Sequence, residues 1–362
     1  MIIIFTTIAS IYALLILAFC YYWRDTETIH FSGSSSETPL VSVIVAFRNE
    51  EKNISRLIES LLAQTYDNCE FIFINDHSDD KSLLVFNNYT DKRIKLVDAP
   101  EEISGKKAAL RLGYENSAGE ILYFTDADCI LGKDCVRKMV MKMIGEDCSM
   151  LCGPVRYMKG KTFASYIGEL DFLTLTGSGA AGFFMGKPFM CNGANYAVKR
   201  NVYAEADLNT KYTSGDDVFL LHYANKHYQV QFIQDKDCIV ETNGIRSFCE
   251  FFSQRVRWAS KATGYKNIFA IIVSLVVFAM SLSLIVSFSI ALAIPLYFLV
   301  FFCIFMIKLI VDTYFTIRVL RFYDRRRLML AILPFSIIQP LYIVTVAMAS
   351  LVYKPKWKGR RI

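Results

Sequence analysis

Residues 120–128, Glu-Ile-Leu-Tyr-Phe-Thr-Asp-Ala-Asp, join a short apolar run to two carboxylates. The run is brief and rich in β-forming residues, which predicts a buried strand rather than a helix. In an open α/β sheet, ligands bind at the carboxyl ends of the strands. Asp126 and Asp128 follow such an end, and side chains at alternate positions of a strand share one face. Because carboxylates suit hard cations, the stretch predicts a Mg²⁺ or Mn²⁺ site. Two solvated acids in a loop would give the same pattern.

Similar apolar runs alternate with helical patterns on the amino-terminal side of this stretch. Val41–Ala46, Glu70–Ile74 and Ile94–Val97 are predicted strands. Apolar side chains between Ile54 and Leu62 repeat at helical spacing, and Lys106–Asn116 is a second predicted helix. This alternation predicts an α/β fold with a mostly parallel, Rossmann-like sheet and flanking helices. Polar residues end strand after strand, which places one ligand at that edge of the sheet.

Two common nucleotide-binding classes are disfavoured. No Gly-x-Gly-x-x-Gly follows the first strand, which argues against a dinucleotide oxidoreductase. Gly105-Lys106-Lys107 is followed by Ala108, which cannot supply the hydroxyl of a Walker-type magnesium site. The ten cysteines form no Cys-x-x-Cys pair and the four histidines show no metal-ligand spacing, which fits a reducing compartment without zinc.

The ends of the chain are strongly apolar, and 54% of its 362 residues are hydrophobic. Ile2–Tyr22 lacks a small-residue cleavage site and predicts an uncleaved transmembrane helix. Residues 268–317 are long enough for two crossings with a break near Pro295, and Leu328–Tyr353 is a third apolar stretch that contains two prolines. The predicted segments are a transmembrane helix (1–23), a linker (24–38), a soluble domain (39–262), transmembrane segments (263–353) and a basic tail (354–362). We therefore expect a multi-pass protein of the cell membrane.

The net charge of +6 is concentrated near the predicted membrane segments. Five arginines lie between Arg318 and Arg327, and five lysines or arginines lie between Lys354 and Arg361. Such clusters are typical of membrane topology and anionic headgroups rather than of nucleic-acid binding. The predicted crossings contain almost no other charge, with Lys308 and Asp312 expected near one end, which argues against a transporter.

Four further stretches carry candidate chemistry. Phe163–Phe184 predicts either a helix lying on the membrane, followed by a loose Gly-rich loop, or an ordinary packed helix. Met190–Tyr196 has small residues that let a backbone approach a ligand. Asp216 and Asp217 lie at a predicted helix start, where negative charge is stabilised whether or not it has another role. Gln254–Trp258, with the sequence Gln-Arg-Val-Arg-Trp, predicts either a diphosphate clamp or a basic interfacial anchor.

Together these motifs resemble the family 2 glycosyltransferases, in particular the membrane-integrated, inverting members. That group includes cellulose, chitin, hyaluronan and poly-N-acetylglucosamine synthases and ceramide glucosyltransferase. The resemblance spans residues 39–260 and the flanking membrane segments, and it rests on several motifs in the family's order. These are Val41–Glu50, Asp76, Gly105–Leu110, Asp126-Ala127-Asp128, Asp216-Asp217 and Gln254–Trp258.

The resemblance implies a GT-A fold and assigns a role to each motif residue. Asp217 is implied as the catalytic base, and Asp126 with Asp128 as ligands of Mg²⁺ or Mn²⁺. Gln254, Trp258 and Asp216 are implied at the acceptor. The residues implied to bind the nucleotide-sugar donor, probably a uridine diphosphate sugar with its uracil on Asp76, are Ala46, Arg48, Glu50, Asp76, Lys106, Asp126, Arg255 and Arg257.

The sequence departs from the family pattern at two positions. Arg111 stands where Asn is common, and Asp216 replaces the usual Glu, so Asp217 is inferred as the base by position. The expected acceptor is a membrane lipid, with a growing polysaccharide as the alternative, because the predicted crossings are few for a polymer channel. A catalytically inactive scaffold is the alternative of another class.

The resemblance also implies that the soluble domain is cytoplasmic, where its donor is found. The Arg318–Arg327 cluster then returns to the cytoplasm, as the positive-inside rule requires. A single further crossing would place the basic tail outside, against that rule, unless Leu328–Tyr353 is re-entrant. The sequence leaves both possibilities open.

Overall fold

The computed structural model describes residues 1–26, 38–206, 215–261, 264 and 267–352, and the backbone alone of 356–357 and 360–361. Most of the predicted linker, Ser214 and most of the basic tail lie outside these residues. The chain divides into two compact units. The first, here called the sheet unit, comprises Thr26–Met158 and Met190–Asn243. The second, the helical unit, comprises Met1–Asp25, Lys159–Phe189 and Gly244–Ile362.

The strands, in chain order, are β1 (Val41–Phe47), β2 (Cys69–Asn75), β3 (Ile94–Asp98), β4 (Ile121–Phe124), β5 (Met150–Cys152), β6 (Val155–Tyr157), β7 (Tyr196–Lys199), β8 (Val230–Phe232), β9 (Val240–Thr242), β10 (Lys356–Trp357) and β11 (Arg360–Arg361). The helices are α1 (Ile2–Tyr22), α2 (Ile54–Leu62), α3 (Ser82–Phe86), α4 (Lys106–Glu115), α5 (Cys135–Gly145), α6 (Phe163–Phe184), α7 (Arg200–Glu205), α8 (Asp216–His227), α9 (Phe248–Ala259), α10 (Ile268–Ala291), α11 (Leu296–Phe322) and α12 (Ile332–Val352). Short 3-10 turns cover Lys236–Cys238 and Arg326–Ala331.

The sheet unit is built on a seven-stranded mixed sheet with the order β3-β2-β1-β4-β7-β5-β8. Strands β1 to β4 pair in parallel, β7 runs antiparallel to both β4 and β5, and β8 is parallel to β5. A separate parallel pair joins β6 to β9. The predicted α/β class and mostly parallel sheet are confirmed.

The central strands are buried on both faces, which explains their continuous apolar sequences. Val43, Ile44 and Val45 of β1 are inaccessible to solvent, and so are Phe71 and the neighbouring apolar residues of β2. The register pairs Phe47 with Asn75 and Ile44 with Phe124. The carboxyl ends of β1, β2 and β4 therefore lie at one edge of the sheet, as the sequence predicts.

The geometry after β4 differs from the prediction. The strand ends at Phe124, and Ala127 and Asp128 lie in a turn. Asp126 and Asp128 are therefore not two positions on one face of a strand. A hydrogen bond from the Cys129 amide to the Asp126 carbonyl, 3.1 Å long, closes this turn.

The helical unit contains, among the described residues, four helices that are long and apolar enough to cross a membrane. They are α1, α10, α11 and the segment Arg326–Val352, which ends in α12. The predicted break near Pro295 is confirmed, because α10 ends at Ala291 and Pro295 caps α11. Helix α12 is continuous through Pro334 and Pro340. Pro334 is tolerated because amides in the first turn of a helix have no partner within it.

Helix α6 is a packed helix, and the loose loop predicted for its Gly-rich half is wrong. The helix continues through that half to Phe184, and most of its side chains are buried. A Cβ at Gly177 would lie 2.6 Å from a Val319 methyl group, and one at Gly168 would lie 3.0 Å from Ile245. These glycines therefore allow neighbouring elements of the helical unit to pack closely.

Lys308 and Asp312 lie in the middle part of α11, so the prediction that they lie near the end of a crossing is wrong. Lys308 is 2% exposed and donates to Asp312 and to Gln339 of α12. The Tyr12 hydroxyl of α1 donates to Asp312 over 2.7 Å. This polar cluster connects three of the four apolar segments.

The basic cluster between Arg318 and Arg327 is partly internal. The Arg325 guanidinium is 2% exposed and lies 2.6 Å from a carboxylate oxygen of Glu169 in α6. Arg327 also pairs with Glu169, and Arg318 pairs with Asp25. These three arginines therefore stabilise the helical unit itself.

Candidate active site

Lys106, the first residue of α4, is central to the candidate site. Its Nζ atom lies 2.5 Å from Asp126 Oδ1. Burial disfavours the charged form of Lys106, but the carboxylates of Asp126, Asp216 and Asp217 outweigh burial and raise the pKa of the ammonium group. The acids that follow β4 and those that begin α8 therefore act on one ammonium group. The structure thus brings the motif of Asp126 near that of Asp216, although 90 positions separate these two residues in the sequence.

The backbone at Gly105 positions Lys106. Gly105 caps α4 with φ 94° and ψ 152°, a conformation that only glycine adopts readily. Its amide donates to both carboxylate oxygens of Asp76, at 3.2 and 3.1 Å. Asp76 follows β2 and is 1% exposed. It therefore fixes the start of α4, and its predicted contact with uracil stays a prediction.

Asp128 lies among other acids. Burial and the neighbouring charges of Asp126 and Glu50 raise the pKa of Asp128 to about 6, although Thr242 donates a hydrogen bond that opposes the shift. Glu50 follows the carboxyl end of β1, so acids after two adjacent strands repel one another here. Such repulsion favours a bound cation, because a positive charge lowers the energy of both carboxylates.

The carboxylates fit a divalent cation that is coordinated partly by the protein and partly by the phosphate oxygens of a bound molecule. Asp126 and Asp128 supply carboxylate oxygens, which Mg²⁺ and Mn²⁺ prefer. Among the residues that the structure describes, no group of three or more His, Cys, Asp or Glu side chains could hold a metal. A protein that contributes one or two carboxylates leaves the other positions to phosphate oxygens and water, which is usual for Mg²⁺.

Asp216 and Asp217 occupy the first turn of α8, where the helix dipole favours negative charge. Asp216 is 6% exposed, whereas Asp217 is half-buried and more accessible. A Cβ at Gly193 would lie 3.2 Å from Asp217 Oδ2. Gly193 therefore lies close to this carboxylate, and the predicted approach of Met190–Tyr196 to a ligand stays a prediction. Sequence reasoning expected a ligand there and missed the contact.

The remaining predicted donor residues of the sheet unit surround the carboxyl end of β1. Ala46 lies in β1 beside Ile74 of β2, and Arg48 is the first residue after the strand. The Asp76 amide donates to the Phe47 carbonyl over 2.8 Å, which joins the ends of β1 and β2. Their predicted contacts with a donor stay predictions.

The Gln-Arg-x-Arg-Trp motif lies on α9, in the helical unit. Gln254, Arg257 and Trp258 are half-buried, whereas Arg255 is 6% exposed. Arg255 Nε lies 2.5 Å from Asp171 Oδ2 of α6. Sequence reasoning missed Asp171, although an acid in a largely apolar helix is a signal that a buried partner exists.

A comparison with protein families matches much of the sheet unit and also α6. Residues 42–205 match the family model for Glycosyl transferase family 2. Over these residues the chain is similar to the family 2 glycosyltransferases. The match begins in β1 and ends in α7, so it contains Lys106, Asp126 and Asp128, whereas Asp216, Asp217 and α9 follow it.

Named relatives are glycosyltransferases that share part of this domain. An uncharacterized glycosyltransferase of Haemophilus influenzae is 33% identical over 38% of this chain and 57% of its own length. The Escherichia coli UDP-Glc:alpha-D-GlcNAc-diphosphoundecaprenol beta-1,3-glucosyltransferase WfgD is 31% identical over 32% of this chain and 45% of its own length. The chain thus spans about half the length of these relatives.

A solved structure shares the fold over nearly the whole chain. The mannosyltransferase PcManGT of Pyrobaculum calidifontis, in complex with GDP-Man and Mn²⁺, superposes with a TM-score of 0.57 at 16% identity. The match covers 97% of this chain and 99% of that one. The GT-A fold expected of the glycosyltransferase domain is therefore confirmed.

Proposed function

We propose that the protein is an inverting glycosyltransferase. In this proposal it moves a hexose or N-acetylhexosamine from a nucleotide diphosphate sugar to a membrane lipid and forms a β-glycosidic bond. The observation that carries the proposal is the 2.5 Å contact between Lys106 Nζ and Asp126 Oδ1, together with the charges of Asp216 and Asp217 that act on the same ammonium group. This observation supports the proposal, because the acid proposed as the base would then lie near the acids proposed to hold the cation.

The chemistry follows from the groups present. Asp217 accepts the proton of an acceptor hydroxyl as that oxygen forms a bond to the anomeric carbon. The bond from that carbon to the diphosphate oxygen breaks at the same time, and its electron pair remains on the diphosphate. A single displacement of this kind inverts the anomeric configuration without a covalent sugar–enzyme intermediate.

The leaving diphosphate needs positive charge. A divalent cation held by Asp126 and Asp128 would supply it and so stabilise the leaving group. Lys106, already beside Asp126, would add a charge-assisted hydrogen bond. The Lys106 ammonium group can replace its contact with Asp126 by one with a phosphate oxygen, because a carboxylate and a phosphate both present anionic oxygen acceptors.

Two observations favour a uridine diphosphate donor and a lipid acceptor. The Escherichia coli relative is named for a UDP-Glc donor and a diphosphoundecaprenol acceptor. Four apolar segments, three of them tied by the Lys308 cluster, can flank a lipid but hardly enclose a polar sugar polymer. We propose accordingly that the protein is integral to the cell membrane, with the glycosyltransferase domain in the cytoplasm.

Radiolabelled donors test this proposal. Membranes that contain the protein are incubated with UDP-, GDP- and CDP-sugars, with Mn²⁺ or with a chelator, and extracted with organic solvent. We expect label from one UDP-sugar in the organic phase, as one or a few species, and none in the chelator or with Asp217→Asn. High-mass, solvent-insoluble label would indicate a polymer synthase instead. Absence of transfer from every donor would favour an inactive scaffold.

A further inference from the structure

A buried ion pair restrains the Gln-Arg-x-Arg-Trp helix within the helical unit. Asp171 of α6 is 5% exposed and Arg255 of α9 is 6% exposed. Arg255 Nε lies 2.5 Å from one oxygen of Asp171, and the Tyr342 hydroxyl of α12 donates to the other oxygen. The side-chain oxygen of Gln254 accepts from Arg255 Nη1 over 2.6 Å. One carboxylate thus joins three helices.

The same guanidinium holds an aromatic side chain in place. The Cζ atom of Arg255 lies 4.3 Å from the centre of the Trp258 ring and 4.9 Å from that of Phe251. The Phe172 ring, next to Asp171, lies 6.2 Å from Trp258. Phe251, Arg255 and Trp258 recur at helical spacing and share one face of α9. Arg255 therefore fixes the orientation of Trp258, and Asp171 fixes Arg255.

The energetics of burial make this arrangement specific. A buried guanidinium is costly unless it is paired, and removing one partner of a buried pair leaves an uncompensated charge. The planar guanidinium binds a carboxylate and stacks on rings at the same time, which a lysine cannot do. The network thus constrains the rotation of α9 about its axis, and with it the directions of Arg257 and Trp258.

We propose that Asp171 and Tyr342 are positioning residues for the transfer reaction. They act through Arg255 to hold Trp258 against the acceptor and to orient Arg257, and Arg255 itself serves in this network rather than as a ligand of the diphosphate. The inference deepens the proposed function and rests on it for the acceptor contact. Tyr342 lies on an apolar segment, so the motif helix is coupled to the part of the protein that would meet a lipid.

The first experiment measures the fluorescence of Trp258, which does not require sugar-transfer activity. Trp23→Phe and Trp357→Phe leave Trp258 as the sole tryptophan. In this background, Tyr342→Phe and Asp171→Asn should each shift the emission of Trp258 and increase its quenching by acrylamide, since the ring loses its fixed stack. Tyr314→Phe, at a side chain that is 55% exposed, is the matched control for Tyr342→Phe.

A second control distinguishes the effect of losing the Asp171–Arg255 network from the effect of losing any buried ion pair. Glu169 lies on the same helix as Asp171, is 1% exposed and is also paired with arginine. Glu169→Gln should lower thermal stability but leave the fluorescence of Trp258 unchanged. If Tyr342→Phe and Asp171→Asn also left it unchanged, the positioning role would be wrong.

Kinetics complete the test. A hydrogen bond to a charged group affects equilibria by about tenfold or more, so Tyr342→Phe should lower kcat/KM for the acceptor by about tenfold. The donor Kd, from calorimetry with uridine diphosphate, should not change. A weaker donor Kd with an unchanged acceptor KM would overturn the proposal, because Arg255 would then be a donor ligand. If the parent protein transferred no sugar, the proposed function would fail while the Trp258 measurements still decided whether the network orients α9.

Discussion

At the scale of single residues, the surroundings of Asp217 are compatible with its proposed role as general base. It is half-buried, lies at a helix start and is close enough to Lys106 to affect its pKa. Asp216 is more deeply buried and is less suited to receive a proton from a substrate. Negative charge at the first turn of α8 is stabilised by the helix dipole.

Asp217→Asn should reduce kcat by about 10²- to 10⁴-fold, because it removes general-base catalysis and keeps the shape of the side chain. Binding of uridine diphosphate, measured by calorimetry, should persist. Asp147→Asn is the matched control, since this acid is exposed and its ion pair with Lys199 contributes little. Near-normal transfer by Asp217→Asn would remove it as the base.

Gly193→Ala tests whether the backbone beside Asp217 must be small. The new methyl group would lie 3.2 Å from Asp217 Oδ2, so the carboxylate must shift by a few tenths of an ångström. Since displacement of a catalytic group is costly, kcat should fall by about tenfold or more while the donor Kd is kept.

Gly145→Ala provides the control for that substitution. Gly145 ends α5 and has no atom within 4 Å of an added Cβ. Alanine there should leave activity unchanged and stabilise the helix slightly. Equal activity of the two glycine variants would contradict a role for the Gly193 contact.

At the scale of elements, the start of α4 depends on one unusual backbone conformation. Gly105→Ala places a side chain at φ 94° and ψ 152°, at a cost of about 1–3 kcal/mol. The strain should displace Lys106 and weaken binding of uridine diphosphate in calorimetry. Gly186→Ala, also at positive φ with no neighbour within 4 Å, should lower Tm as well but leave donor binding intact. Equal donor affinity in both variants would show that Lys106 does not need this turn.

The elements that the sequence predicts well are those with strong local patterns. Strands β1 to β3 fall within a residue of their predicted bounds. The apolar runs of β1 and β2 are buried on both faces, whereas β3 is a partly exposed edge strand. Strands β5 to β9 contain three or four residues each, too few to show a period, and no prediction was made for them.

Contacts between distant elements were harder to predict. The face of α9 that carries Arg255 could have been found from the spacing of Phe251, Arg255 and Trp258, which is that of one helical face. Its partner Tyr342 has no local signal, because 171 residues separate it from Asp171. The motifs thus predict the residues of the candidate site, whereas tertiary packing decides which of them are accessible.

At the scale of the whole molecule, the apolar segments contain a buried charge pair, Lys308 and Asp312, which the sequence analysis expected near the end of a crossing. Lys308 is 2% exposed, and Asp312 is shared between Lys308 and the Tyr12 hydroxyl. Gln339 accepts from Lys308 over 2.5 Å. In hydrocarbon no water can satisfy these groups, so they stabilise one arrangement of α1, α11 and α12.

This pairing predicts a non-additive effect on stability. Lys308→Met alone leaves the Asp312 carboxylate buried without its ammonium partner, and Asp312→Leu alone leaves the ammonium. Each should destabilise the protein by about 3–5 kcal/mol, seen as a lower midpoint of thermal unfolding in detergent. The double variant Lys308→Met/Asp312→Leu removes both charges and should recover most of the loss. Because the cluster lies apart from the glycosyltransferase motifs in sequence, the double variant should also retain sugar transfer. A double variant that is stable yet inactive would instead assign the charge pair to the reaction, since packing alone could not explain the loss.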